Sequence, residues 1–183
     1  MVISIVPGLH ARFKMVKNVL LIVDTQNIGN NVKHKFGPDA KLDYAAYVNK
    51  SVGDDILFKA IAYGSHFNRR AAKFISLLRN CGFDPRFKEL HAKKDRESGE
   101  ETPVYIDSTV DIVIDVMELV NLGKVDRVIL GTSDPQFIRL ITEVKRKGVD
   151  IEVHSCRTPM QLREASTKHV ELTDEYLWQQ PAE

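Results

Sequence analysis

The strongest constraint on this chain is a recurrence along it. Short runs of branched apolar residues, each closing on a polar turn, alternate with stretches of helical periodicity. Repeated strand-helix units of this kind build an α/β domain around a parallel sheet. Five strands are predicted, at Asn18 to Asp24, Ile56 to Tyr63, Pro85 to His91, Arg127 to Gly131 and Val149 to His154. Helices are predicted near Tyr44 to Lys50, Asn68 to Cys81, Asp107 to Leu122 and Pro135 to Lys147, with one or two short ones between Pro159 and Trp178. Gly82, Gly123 and Gly148 stand just past three of these helices, where glycine often ends a helix. The polar stretch from Lys93 to Thr102 has neither periodicity and reads as one long, mobile loop.

With 183 residues, and no repeat or composition shift to mark a second unit, the expected division is an N-terminal extension over 1–15, one domain over 16–178 and a tail over 179–183. Met15 sits directly before the first strand, so translation could start at either methionine. The 26 basic and 25 acidic residues leave a net charge of +1, which excludes a partner held by bulk positive charge; nucleic acid would have to be met by local patches. Two cysteines, Cys81 and Cys156, are too few for a disulfide scaffold and favour a reducing compartment, the cytoplasm by default. The run Val19 to Val23 is far short of the roughly 20 residues that span a bilayer, and no secretion signal opens the chain, so no membrane association is expected.

Acidic residues fall at telling places. Asp24 closes the first strand, and Gly131-Thr132-Ser133-Asp134 closes the fourth. Ligands of open parallel sheets bind at the strands' carboxyl ends, where strand order reverses, so the two acids could face each other across a crevice. Each also has a local explanation: Asp134 before Pro135 reads as a helix N-cap with proline at N1, and Asp24 could cap a turn through Thr25-Gln26-Asn27. A third source is the helix from Asp107, largely apolar except for Asp107, Asp111, Asp115 and Glu118 at steps of four, four and three. Such a stripe is either a solvated face or a cation-binding one, and no basic residue lies on it to compensate. If Asp111 and Asp115 converge with Asp24 and Asp134, they form an all-oxygen site for Mg²⁺ or Mn²⁺. An ion there activates water and neutralises a phosphodiester, which points to hydrolysis of a nucleic-acid backbone. Rival chemistries lack support. There is no GxxxxGK[ST] or GxGxxG loop, no DxD after the first strand, and no HExxH. His66, His91 and His154 read as surface or loop residues, and Cys156 has no partner for a nucleophilic role.

These pieces together resemble the NYN domains of the PIN-like nuclease superfamily, in particular their LabA-like branch. Val23-Asp24-Thr25-Gln26-Asn27 is similar to the family's opening D-x-x-N, Val110-Asp111-Ile112 with Asp115 to its V-D-V helix with a following acid, and Gly131-Thr132-Ser133-Asp134 to its G-D-S-D turn. Gly148 to Val153 resembles its last strand. The resemblance implies a Rossmann-like, three-layer domain with a central, mainly parallel five-stranded sheet, and an acidic Mg²⁺ or Mn²⁺ pocket that cleaves RNA. Carried over by residue, Asp24, Asp111 and Asp134 would ligate the metal, with Asp115 a further acid facing it. Asn27 would position substrate or the attacking water, and Thr132 and Ser133 would support the turn.

Single-stranded RNA needs a cationic track with faces for stacking. Candidates are Arg69 and Arg70 after the second strand, and Lys93, Lys94 and Arg96 in the polar stretch, all of which could equally serve solubility. Thr132 stands where the family carries an acid, and Ser108-Thr109 where Lys-Gly commonly precedes V-D-V. These departures motivate a second reading: a degenerate module that binds RNA or a protein partner without cutting. Tyr176, Leu177 and Trp178 could dock on the domain or on a second copy in a homodimer.

Overall fold

Val19, Leu20, Leu21, Ile22 and Val23 are fully buried in strand β1 (Asn18–Asp24), with alternate side chains entering two separate cores. A run without polar alternation is what a strand covered on both faces requires. Burial of each such side chain contributes about 1.5–3 kcal/mol. The computed structural model describes residues 15–66, 71–90, 92–94, 101–103 and 107–179. After β1 come α1 (Thr25–Phe36), α2 (Tyr44–Val52), β2 (Ile56–His66), α3 (Ala71–Asn80) and β3 (Phe83–Glu89). A short pair, β4 (Ala92–Lys94) and β5 (Glu101–Pro103), precedes α4 (Thr109–Asn121) and β6 (Arg127–Gly131). The chain ends through α5 (Ile138–Arg146), β7 (Asp150–Ser155), α6 (Met160–Ala165) and β8 (Lys168–Glu171).

Six strands form the central sheet in the order β3-β2-β1-β6-β7-β8, every pair parallel. The chain moves outward from β1 to β3, crosses back, and moves outward again from β6 to β8. Strand order therefore reverses between β1 and β6, and their carboxyl ends carry Asp24 and the Thr132–Asp134 turn. One face of the sheet packs on α1, α2 and α3 through residues such as Ile28, Val32, Tyr47 and Leu78. The other packs on α4, α5 and α6 through Ile112, Val116, Ile141 and Leu162, with Phe137 from the 3-10 turn before α5, completing three layers. No helix among the described residues is long and apolar enough to cross a membrane.

The predicted helix ends hold, with Gly123 and Gly148 at φ +66° and +77°, conformations glycine adopts without strain. Three predictions of local structure need correction. The sheet has a sixth strand, β8, where short helices alone were expected up to Trp178; Lys168-His169-Val170-Glu171 is a four-residue edge strand too charged to announce itself. Residues 25–36 form a three-turn helix rather than a turn. Their glycine, three asparagines and two buried aliphatic residues, Ile28 and Val32, give little helical pattern, and Asp24 and tertiary packing supply the rest. The polar stretch from Lys93 to Thr102 is not wholly loop, since its ends pair antiparallel as β4 and β5.

Beneath the opposite edge of the sheet lies a buried charged cluster. Arg127 donates to Asp55 at 2.8 Å, Glu152 at 3.0 Å and the Val52 carbonyl at 3.1 Å, tying α2, β6 and β7 together. Glu152 also meets His154 at 3.2 Å. Burial opposes ionisation of Glu152, but His154 and Arg127 outweigh it and hold the carboxyl at about 2.

Candidate active site

Asp24 turns the chain from β1 into α1. Its Oδ1 accepts the Gln26 and Asn27 amides at 3.1 and 3.0 Å, capping the helix, while Oδ2 has no hydrogen-bond partner among the described residues. The strand-to-helix turn is close-packed. A Cβ on Gly64 would lie 2.6 Å from Thr25 Oγ1 and from the Phe87 ring, so glycine is required where β2 passes under α1, and Thr25 Oγ1 donates to the Tyr63 carbonyl at 2.7 Å.

The turn after β6 is fastened to α1 by Asn27. Its Oδ1 accepts from Ser133 N, Ser133 Oγ and Asn31 Nδ2, each at 2.9 Å. A carbonyl oxygen with three donors has no lone pair left for substrate, so this part of Asn27 holds the turn. Ser133 is correspondingly committed, accepting also from Asn31 Nδ2 at 2.8 Å. Thr132 is fully buried, and its Oγ1 accepts the Asp134 amide at 3.2 Å. Asp134 caps the following 3-10 turn through the Gln136 amide at 2.9 Å.

Asp24, Asn27 and Asp134 thus meet at one cleft of about 610 Å³, whose lining also includes Gln26, Lys33 and Asp107. Burial first, and then the neighbouring charges of Asp134 and Asp107, push the Asp24 carboxyl up, against the pull of its two backbone hydrogen bonds. Asp107 moves the other way. Hydrogen bonds from Thr109 Oγ1 at 2.7 Å and Thr109 N at 2.8 Å, aided by Lys88, hold it below the usual carboxylate range.

Asp111 and Asp115 lie elsewhere. They line a neighbouring hollow with Tyr63, Arg86 and Lys88. Asp111 is ion-paired with Lys88, and Asp115 accepts from both the Tyr63 hydroxyl and Arg86. The acid that α4 brings to the cleft is Asp107, just ahead of its first turn. Its position in the stripe of acids was the signal, but which member faces the β1–β6 crossing depends on where the helix begins. Lys33 went unnoticed because α1 did. Arg69, Arg70 and Arg96 lie outside the described residues, as does His91; Lys93 and Lys94 belong to β4.

Whether a divalent ion suits this cleft turns on its donors. All are oxygen, the other two acids crowd the part-buried Asp24 carboxyl, and against this negative charge stand Lys33 at the lining and Lys88 beside Asp107. Among the described residues no three acidic, histidine or cysteine side chains are gathered closely enough to hold an ion by themselves. The set therefore fits a hard ion that keeps most of its water and takes one or two carboxylates, the habit of Mg²⁺.

The NYN domain family model matches residues 18–173 of the chain. No curated protein matches it. Among solved structures, a protein of unknown function from Vibrio parahaemolyticus, VPA0982, is 22% identical over 90% of this chain and 98% of its own, with a TM-score of 0.73, so the two share a fold. Phosphofructokinase-2 from Escherichia coli is 16% identical over 83% of this chain and 57% of its own, with a TM-score of 0.39.

Proposed function

Because the chain belongs to the NYN domain family, within the PIN-like nuclease superfamily, we propose that it is a divalent-metal-dependent ribonuclease whose reacting phosphodiester lies in the cleft between β1 and β6. The observation that carries this reading is the gathering of Asp24, Asp107 and Asp134 around one cleft at the reversal of strand order. Asp24 and Asp134 would hold Mg²⁺ or Mn²⁺, with Asp107 adding charge from the α4 side. Such an ion, when bound, supplies activation of water and neutralisation of charge at phosphorus. Asn27 acts by positioning: it fixes the Ser133 turn and thereby the separation of Asp134 from Asp24. Lys33, on α1 at the border of the cleft, would meet a phosphate of the strand.

One observation favours a second reading. Two of the four acids expected to face metal are already engaged, Asp111 by the Lys88 ion pair and Asp115 by the Arg86 ion pair and a hydrogen bond from Tyr63. An RNA-binding or protein-binding module that does not cut would have the same arrangement. Incubation of labelled single-stranded RNA with Mn²⁺, with Mg²⁺ or with chelator separates the two. The nuclease reading expects cutting that chelator abolishes; absence of cutting, together with no Mn²⁺-induced rise in Tm, would leave the second.

A further inference from the structure

Beside the acidic cleft lies a larger, mainly apolar hollow of about 720 Å³, within the size range of small-molecule sites. Tyr44 and Phe74, packed edge to face with ring centroids 5.5 Å apart, form part of its wall. Leu77 and Trp178 also line it and remain 47% and 49% exposed. Trp178 is not on a loose tail. The Trp178 amide donates to the Lys41 carbonyl at 2.9 Å, the Asp43 amide donates to the Tyr176 carbonyl at 2.8 Å, and Leu42 bridges Leu177. A half-exposed indole on a fixed backbone is a flat apolar surface offered to solvent with its main chain already ordered.

Thr25, Gly29 and Lys33 line both this hollow and the acidic cleft, so the two adjoin along one row of α1. Gly29 lies inside α1, where glycine is a poorer helix former than alanine, yet a Cβ built there meets nothing within 4 Å. Packing does not demand glycine at this point, and its missing side chain keeps low the row of α1 that separates hollow from cleft.

We infer that the hollow is a nucleobase subsite, receiving a base of the RNA strand whose phosphodiester lies in the acidic cleft; this rests on the ribonuclease reading above. Aromatic surface, a bordering ammonium and a border shared with the cleft match the two parts of a nucleotide, a flat π-face and an anionic link. Trp178 stacks on or edges against the base, and Lys33 meets the phosphate between base and cleft.

Trp178 is the one tryptophan of the chain, so its fluorescence reports on the hollow without reference to cleavage. The protein is titrated in chelating buffer with a single-stranded RNA pentamer, with AMP and UMP, and with ribose 5-phosphate. Saturable quenching by the pentamer and the nucleotides, and none by ribose 5-phosphate, is expected. Gly29→Leu, which raises a bulky side chain on the row between hollow and cleft and is a better helix former, is expected to keep or raise Tm while weakening the pentamer about tenfold or more. The inference is overturned if neither nucleotides nor pentamer quench, or if ribose 5-phosphate acts as well as they do. It is overturned also if Trp178 emission changes with protein concentration alone, which would mark a second copy as the occupant. Cleavage is read separately. Base-dependent quenching without cutting keeps the subsite and removes the ribonuclease reading, whereas cutting without quenching does the reverse.

Discussion

Asp24 bears the tension of the site. Its carboxyl is pushed above the ordinary 3.8 by burial and by Asp134 and Asp107. A carboxyl whose pKa is raised on folding disfavours the folded state as pH climbs from its unfolded value through its folded value, and the whole cost is present above that. Asp24→Asn keeps an N-cap acceptor while removing the charge, so it should raise Tm at pH 7, by about 2–4 °C for each kcal/mol relieved. The gain should disappear by pH 3, where the wild-type group is protonated, and should shrink at pH 7 when Mn²⁺ is added. Thermal melts at the two pH values check this. Asn27→Ala leaves the Ser133 N–H without its acceptor and should cost about 1–3 kcal/mol in urea unfolding along with activity. A group acting on substrate alone would lose activity with stability unchanged. The cleft also reverses the order in which the family resemblance ranked two acids, Asp111 ahead of Asp107: Asp107→Asn should lower RNA cleavage more than Asp111→Asn, and the opposite result would return Asp111 to the site. Asp24 and Asp134 were legible because each follows an apolar run that marks a strand end. Asp107 was not, because the acids on α4 differ only in three-dimensional direction.

At the scale of elements, the sheet is held from its other end by the Arg127 cluster. The Glu152 carboxyl is held at about 2 against an ordinary 4.5, so its stabilisation is complete above about 4.5 and is lost as pH falls toward 2. Glu152→Gln should therefore cost about 3 kcal/mol at pH 7, because Arg127 is left with a buried, under-compensated charge, and the gap to wild type should narrow below pH 4. Denaturant melts across that range check the prediction, and a constant gap would contradict it. This cluster could not be read from the sequence, since Arg127, Glu152 and Asp55 come together only once the strand register is set. The strands themselves were largely legible, because β1 and β6 are continuous apolar runs. The elements missed, α1 and β8, are those whose own residues argue weakly for any structure and which form because a cap or a neighbouring strand supports them.

For the whole molecule, order in the sheet decides function more than any one motif does. Placement of β1 beside β6 converts two distant strand ends into opposite sides of a cleft, which the chain sequence implied only through the general behaviour of parallel sheets. A divalent ion bound there links metal to stability: at one hundred times its Kd it should add about 2.7 kcal/mol, a Tm rise of about 5–10 °C that Asp134→Asn loses. Hydrolysis in the β1–β6 cleft is decided by cleavage of labelled single-stranded RNA, with Mn²⁺ present or chelated, by wild type, Asp24→Asn and Asp134→Asn purified side by side. Wild type should cut only with metal present, and each folded variant should lose about a hundredfold or more. Equal cutting by all three proteins, or cutting that survives chelation, would contradict it.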